Sequence, residues 1–160
     1  MSRIETKLTD MGMPLPDVPA PAGAYIPASQ SGNSVYTSGQ LPIVDGELYA
    51  TGHVGCDVGV EDAAKAARIA TLNALAAIKQ VIGDLDNIVR IVKVTGFVSS
   101  APDFTEQAKV LNGASEFLHE VFGAAGQHVR SAVGVSALPL NTPVEVELLV
   151  TVRPNDDVHV

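Results

Sequence analysis

The sequence predicts an α+β domain in which two helices cover one face of a mixed β-sheet. The chain has 160 residues, of which 46% are apolar, and this is the size of one domain with one core. Strand-type and helix-type hydrophobic patterns follow one another in the order β, β, α, β, α, β, β. Two helices can cover only one face of such a sheet, so we expect residues 1–160 to form a single two-layer domain.

The first part of the chain is predicted to be an extended arm. Ser2 followed by Glu5 is a capping-box pattern that predicts a short helix. The residues after it are rich in prolines, which favour extended backbone: Pro14, Pro16, Pro19, Pro21 and Pro27. We therefore expect residues 1–24 to be a proline-rich arm rather than a separate domain.

Two short β elements are predicted before the first long helix. In Ser34–Ser38, β-branched and aromatic residues alternate with small ones, which indicates a strand that ends before Gly39. Asp45-Gly46 is a turn dipeptide between the apolar runs 41–44 and 47–49. It predicts a short hairpin.

The clearest helical pattern runs from Val60 to Ile82, and Gly83 stands where such a helix would end. Its many alanines raise helix propensity and permit close packing on a sheet. The apolar residues that share one face are Ala64, Ala67, Leu75, Ile78 and Ile82.

Residues 87–99 are predicted to form a long strand with two apolar faces. By the two-residue period of a strand, one face carries Val89, Ile91 and Phe97, and the other carries Val92, Val94 and Val98. Such a strand needs cover on both sides. Because the two helices cover only one face, we expect another subunit on the second, although the pattern does not specify how many subunits assemble.

The C-terminal third is predicted to hold one helix and two strands. The helix is expected to begin at Asp103, with Glu106 completing a capping box, and to end at Gly123. Its expected buried stripe is Phe104, Leu111, Ala114, Leu118 and Phe122. Strands are expected at 129–136 and 144–152, joined by a proline-containing loop at 138–143, and the acidic tail at 156–160 is expected to be frayed.

Charge and composition argue against nucleic acid and membrane partners. Ten Lys and Arg against eighteen Asp and Glu give a net charge of −8, and the chain has no Trp, three Tyr and four Phe. It would repel a polyanion and offers few stacking platforms. No apolar run approaches the ~20 residues of a membrane span, and no apolar signal segment follows Met1, so we expect a soluble, cytoplasmic protein.

Metal and thiol chemistry are not expected either. Cys56 is the only cysteine, and no two of the four histidines have the i, i+4 spacing that favours a shared metal site. A lone cysteine such as Cys56 is more often a small buried hydrophobe than a nucleophile. We therefore do not expect a metal enzyme.

Arg130 and the carboxylate pair Glu145 and Glu147 are candidates for chemistry. Arg130 is at the start of a predicted strand and is the only Lys or Arg between Lys109 and Arg153. The planar guanidinium of an arginine can hold a carboxylate through two parallel hydrogen bonds. The alternative is an interface salt bridge. Glu145 and Glu147 lie on one strand face, about 6.6 to 6.8 Å apart along the backbone.

Such a carboxylate spacing also fits a glycosidase, but this chain lacks the aromatic residues of a sugar cleft. The remaining alternatives are a solvated strand face, or one carboxylate turned into a subunit cleft where it orients water. Ser38-Gly39 offers a hydroxyl beside backbone that a ligand can approach, but it is a weak catalytic motif. His128, two residues before Arg130, is the histidine closest to a candidate residue, and a surface histidine is the alternative.

Three segments in this order resemble the YjgF or reactive-intermediate-deaminase (Rid) family. They are Tyr36-Thr37-Ser38-Gly39-Gln40-Leu41-Pro42, the segment from Arg130 to Val135 with Leu138-Pro139, and Val144-Glu145-Val146-Glu147. The resemblance runs from about Tyr25 to the C-terminus. It implies a chorismate-mutase-like fold assembled as a homotrimer with clefts between neighbouring subunits.

The resemblance also implies an activity, the hydrolysis of reactive enamines and imines such as 2-aminoacrylate to a 2-oxo acid and ammonia without a cofactor. By the same resemblance, Arg130 would hold the substrate carboxylate and Glu145 would position the attacking water. Gly39 would offer backbone near the substrate, next to Ser38, and Tyr25 would close over the cleft. Asn112 would match a helix residue near the site.

The sequence departs from the family pattern at four positions near these residues: Ala24, Pro27, Ala132 and Gly134. Two other functions therefore stay open, a trimer that binds a small carboxylate metabolite without turning it over, and a ribonuclease. The presence of both Arg130 and Glu145 favours the deaminase over the binding protein. The net charge of −8 disfavours the ribonuclease.

Overall fold

The structure, a computed structural model, describes residues 2–154, so the predicted frayed tail lies outside the described residues. The helices and strands follow the predicted order, with one additional strand at residues 28–31. In chain order they are α1 (Arg3–Asp10), β1 (Ala28–Ser31), β2 (Ser34–Thr37), β3 (Ile43–Val44), β4 (Glu47–Leu48), α2 (Val60–Ile82), β5 (Ile88–Ser99), α3 (Gln107–Phe122), β6 (Val129–Val135) and β7 (Val144–Val152).

Five strands form one mixed sheet in the order β1-β2-β7-β5-β6, and β3 pairs with β4 in the predicted hairpin. Only β5 and β6 are parallel; the other pairs in the large sheet are antiparallel. In β7 the residues alternate strictly between buried and half-buried. Helices α2 and α3 pack on the buried face, which confirms the two-layer α+β prediction.

The two long helices lie unusually close to each other. A Cβ atom built on Gly113 of α3 would lie 2.0 Å from the carbonyl oxygen of Ala64 in α2, so only glycine permits this approach. Ala64, which is predicted on the buried face of its helix, is only partly buried, whereas Ala63 and Ala67 are fully buried. The small residues Ala64 and Gly113 therefore allow the backbones of α2 and α3 to pack against each other.

Helix α1 has its predicted N-terminal cap and is bound to the domain by one distant carboxylate. The Ser2 hydroxyl accepts from the Glu5 amide at 3.0 Å, as the capping pattern predicted. Asp86 accepts from the amides of Ile4 and Arg3 at 3.0 and 2.9 Å, and these bonds, that from Ile4 first, lower the pKa of Asp86. The first turn of α1 is thus tied to the turn before β5.

The predicted start of α3 is wrong. The helix begins at Gln107 rather than Asp103, and the Glu106 side chain makes no cap bond and pairs instead with Lys109. Phe104 packs against Gly55, where a Cβ atom would lie 2.9 Å from the phenyl ring. This contact with a distant loop draws the 101–104 segment into a turn and delays the helix.

The predicted faces of the long strand are also partly wrong. Ile91 is fully buried and shares the helix-covered side with Val94, whereas Val89 is half exposed. The register with β7 shifts between Ile91 and Lys93, so a β-bulge falls at this point. The bulge adds one residue and reverses the alternation that the two-residue period assumes.

The second face of the sheet carries exposed apolar side chains. Tyr36, Val129 and Val133 are 52%, 62% and 44% exposed. Half-buried Phe97 and Leu149 lie between them on β5 and β7. The expected second apolar face is therefore present, while the subunit expected to cover it stays a prediction. None of the helices within residues 2–154 has the length and apolar content that a membrane span requires.

Candidate functional site

Glu145 lies on the open face of the sheet, directly against Gly39. A Cβ atom at position 39 would lie 2.6 Å from the Glu145 Cδ atom, so any side chain there would displace the carboxyl group. The approach is held by a bridge in which Gln40 and Val146 exchange backbone hydrogen bonds of 2.8 and 3.0 Å. The fold thereby places a carboxylate and glycine backbone side by side.

The surroundings of Glu145 favour its protonated form. Burial raises the pKa of Glu145, and the Glu147 carboxylate, two residues away on the same face, raises it further. Within residues 2–154 no basic group forms an ion pair with Glu145. A carboxyl group with a raised pKa can both accept a proton and return it.

Ser38 holds the segment that carries Tyr25. The Ser38 hydroxyl donates to the Ile26 carbonyl at 2.6 Å, and its amide donates to the Pro27 carbonyl at 2.8 Å. Ser38 is therefore committed to the backbone and is poorly placed to act as a nucleophile. The Tyr25 hydroxyl accepts from the Ala22 amide at 3.3 Å, and about half of its side chain is exposed.

Tyr25 and Gly39 line the same small cavity. The proline-rich arm at 19–22 forms one wall, and Leu140, from the loop before β7, contributes to another. The Gly39 amide donates to no backbone carbonyl in the described part of the chain. Gly39 thus borders both the Glu145 carboxyl group and the cavity that Tyr25 lines.

Arg130 and Asn112 form a second cluster, at the seam between β6 and α3. Arg130 Nη1 donates to Asn112 Oδ1 at 2.9 Å and to Ser115 Oγ at 3.1 Å. Both acceptors are neutral, and Arg130 forms no ion pair with any residue between 2 and 154. Its guanidinium is therefore held on one side, while no carboxylate among residues 2–154 neutralises its charge.

His128 is part of this second cluster rather than a surface histidine. Its Nδ1 lies 2.7 Å from the Gly126 carbonyl oxygen and its Nε2 lies 2.9 Å from Ser115 Oγ. Ser115 was not predicted, although its spacing of three residues from Asn112 places both on one helix face and would have identified it. Desolvation lowers the pKa of His128, and the charge of Arg130 lowers it further.

The two clusters lie apart in one chain. Arg130 pairs with Val94 of β5, and Val94 pairs in turn with Leu148 of β7, which lies three residues from Glu145. β5 separates their strands, so the two Cα positions differ by about 10 Å along the strands and about 10 Å across them. Their side chains also point to opposite faces, because the neighbour of Arg130, Val94, is buried under the helices.

Other predicted or excluded features have clear positions. Gly134, one of the four positions that depart from the family pattern, lies beneath Gln107 of α3. A Cβ atom at position 134 would lie 2.7 Å from Gln107 Nε2, so the glutamine occupies the space that a side chain at 134 would need. Cys56 is exposed, which contradicts the expectation of a buried thiol: it lies in the tight turn at 53–58. Among residues 2–154 no three His, Cys, Asp or Glu side chains converge as metal ligands would.

Comparison with known proteins gives one family over nearly the whole chain. The model described as "YjgF/chorismate_mutase-like, putative endoribonuclease" matches residues 5–152. "Protein TCP17" of Trypanosoma cruzi is 42% identical over 149 residues, which are 92% of this chain and 93% of that protein. These matches include both clusters of candidate residues.

Two further relatives carry names that suggest different activities. The 2-iminobutanoate/2-iminopropanoate deaminase of Dermatophagoides farinae is 33% identical over 139 residues, which are 86% of this chain and 93% of that protein. The crystal structure of a "putative endoribonuclease" from Shewanella oneidensis MR-1 superposes with a TM-score of 0.90 at 38% identity, covering 93% of this chain and 99% of that one.

Proposed function

The chain belongs to the YjgF/chorismate-mutase-like family, and on that premise we propose that it hydrolyses reactive enamines and imines to 2-oxo acids and ammonia. The observation that carries this proposal is the contact between Glu145 and Gly39. It places a carboxyl group with a raised pKa beside unobstructed backbone on a face that a small substrate can reach. The name of the Dermatophagoides farinae relative suggests the substrate class, 2-iminopropanoate and its enamine tautomer 2-aminoacrylate.

Arg130 is proposed to bind the carboxylate of this substrate. Its Nη1 is held by Asn112 and Ser115, while its positive charge has no carboxylate partner in residues 2–154. A planar guanidinium with free N–H groups can hold a carboxylate through two parallel bonds. A substrate bound in this way would be oriented before any chemistry occurs.

The proposed reaction needs only water and one group that carries protons. The Glu145 carboxylate accepts a proton from water as the oxygen bonds to C2 of the protonated imine and the C=N electron pair moves to nitrogen. The Glu145 carboxyl group returns its proton to the nitrogen of the resulting carbinolamine. The Glu145 carboxylate then accepts the hydroxyl proton as the C=O bond forms and ammonia leaves, and the departing ammonia takes up this proton as ammonium. An enamine enters this path after it takes up a proton at C3 and becomes the imine.

A homotrimer would unite the two clusters. Arg130 and Glu145 point to opposite faces of one chain, so we propose that Arg130 of one subunit faces Glu145 of its neighbour across a cleft. The exposed apolar side chains on the open sheet face would be buried by the same assembly.

We expect a mass near three times the 16.6 kDa of the chain when light scattering is measured at micromolar concentration. The reason is that a single chain leaves Tyr36, Val129 and Val133 in water. A monomer with full activity would contradict the shared cleft.

The proposed activity is tested with 2-aminoacrylate generated in the assay by a pyridoxal-phosphate lyase. We expect the protein to increase the rate of 2-oxo acid and ammonia formation above spontaneous hydrolysis, because the site orients water and removes its proton. A rate equal to the protein-free control, measured with chain that binds 2-oxo acids, would instead support the alternative of a carboxylate-binding trimer. The ribonuclease alternative rests on family naming, and the charge of −8 disfavours RNA binding.

A further inference from the structure

The guanidinium of Arg130 is the first member of a chain of hydrogen bonds that ends on the backbone. Arg130 Nη1 lies 3.1 Å from Ser115 Oγ, Ser115 Oγ lies 2.9 Å from His128 Nε2, and His128 Nδ1 lies 2.7 Å from the Gly126 carbonyl oxygen. The Gly126 residue is buried in the turn that follows α3. These hydrogen bonds therefore connect the guanidinium of Arg130 to the backbone of a buried turn.

The direction of every bond in this chain follows from its two ends. A carbonyl oxygen can only accept, so His128 Nδ1 carries the ring hydrogen and its neutral Nε2 is an acceptor. Ser115 must then donate its hydroxyl hydrogen to Nε2, which turns its oxygen lone pairs towards the N–H of Arg130. An arginine can only donate, so the two ends impose the same order on the chain.

Burial of His128 favours the neutral ring that this order needs. Desolvation is the main cause of the lowered pKa of His128. The hydrogen bond to Gly126 raises this pKa, whereas electrostatic interactions with Arg130 on β6 and His119 on α3 lower it further. The turn at 123–126 has the sequence Gly-Ala-Ala-Gly and adds no titratable side chain. At pH 8 the ring is therefore neutral.

We propose that Ser115 and His128 are positioning residues for the substrate-binding arginine, and this inference rests on the proposed function. They hold Nη1 from the α3 side, together with Asn112, so that the remaining N–H groups of Arg130 face the ligand. Fixing the plane of the guanidinium in advance lowers the entropy cost of binding a carboxylate in the two-bond geometry.

The test measures binding of 2-oxobutanoate by calorimetry at pH 8. Ser115→Ala and His128→Phe remove the acceptors and should weaken affinity by about threefold to tenfold, the usual value of one hydrogen bond. Ser115→Thr and His128→Gln keep a hydroxyl or an amide oxygen and should bind nearly as well as the parent chain. Gln127→Ala, at the exposed position next to His128 and outside the hydrogen-bond chain, is the matched control.

A double-mutant cycle separates positioning from a general structural role. In an Arg130→Lys background the effect of Ser115→Ala should shrink below about twofold, because lysine has no plane to orient. An unchanged effect in that background would overturn the proposal. Ser115→Ala is not expected to unfold the protein, since alanine has the higher helix propensity.

One measurement is independent of the proposed function. The ¹⁵N chemical shifts of the His128 ring at pH 8 should identify the tautomer with the hydrogen on Nδ1. If the parent chain fails to bind 2-oxobutanoate, the proposed function fails, while this tautomer still decides whether the hydrogen-bond chain exists. A ring with its hydrogen on Nε2 would contradict the proposal whether or not any ligand binds.

Discussion

Glu145→Gln is expected to lower turnover of 2-aminoacrylate by about a hundredfold or more, the scale at which a lost general base acts. The amide keeps the shape of the carboxyl group against Gly39 but cannot accept a proton from water. Affinity for 2-oxobutanoate should change little, because Arg130 holds the carboxylate. Steady-state kinetics and calorimetry on the same preparations measure the two effects, and normal turnover would remove Glu145 from the mechanism.

Glu147→Gln is the matched control for this variant. It neutralises a carboxylate two residues away on the same sheet face and should leave turnover at neutral pH largely intact. The Glu147 charge contributes to the raised pKa of Glu145. Its removal should therefore shift the acid limb of the pH profile to lower pH.

The direction in which activity changes with pH follows from the raised pKa of Glu145. The base form of Glu145 is needed, so activity should fall as the pH drops through a pKa that lies above the ordinary 4.5 of a glutamate. The effect on stability has the opposite direction. A carboxyl group whose pKa is raised on folding lowers the free energy of unfolding once the pH exceeds the pKa of that group in the unfolded chain. Glu145→Gln should therefore melt no lower than the parent chain, which excludes unfolding as the cause of lost turnover.

Arg130→Lys is expected to weaken binding of 2-oxobutanoate by about 10- to 150-fold, corresponding to about 1.5 to 3 kcal/mol for charge-assisted bonds. Lysine keeps the charge but loses the planar pair of donors. Arg90→Lys, at an exposed position of β5, is the control and should bind like the parent chain. Calorimetry that finds equal affinity for Arg130→Lys would favour an interface salt bridge as the role of Arg130.

The same two positions test whether the site is shared between subunits. Trimers assembled from equal amounts of Arg130→Ala and Glu145→Gln chains should regain about one quarter of the parent activity. Each cleft would take Arg130 and Glu145 from different subunits, and random assembly supplies both intact residues in about one cleft of four. No recovery in mixed trimers would contradict the proposed pairing across the cleft.

Local sequence patterns determined the elements of this protein. Helix α2 occupies Val60–Ile82 as predicted and ends at Gly83, because a long apolar stripe and a glycine C-cap act within one segment. The short hairpin at Asp45-Gly46 likewise depends on a turn that two residues define. The ordered motifs around Gly39, Arg130 and Glu145 were also sufficient to identify the family.

Tertiary structure decided what depends on contacts between distant segments. Phe104 leaves the predicted helix because it packs on Gly55, and a bulge paired with β7 turns Ile91 to the buried face. Neither neighbour is visible from the local pattern.

The same holds for the site. The sequence by itself determined which residues carry charge and hydrogen-bonding groups, whereas only the folded chain brings the Glu145 carboxyl against Gly39 and connects Arg130 through Ser115 to His128. The physical reason is that periodicity and capping act over a few residues. Desolvation and hydrogen-bond partners are instead determined by segments that meet only after the sheet has formed.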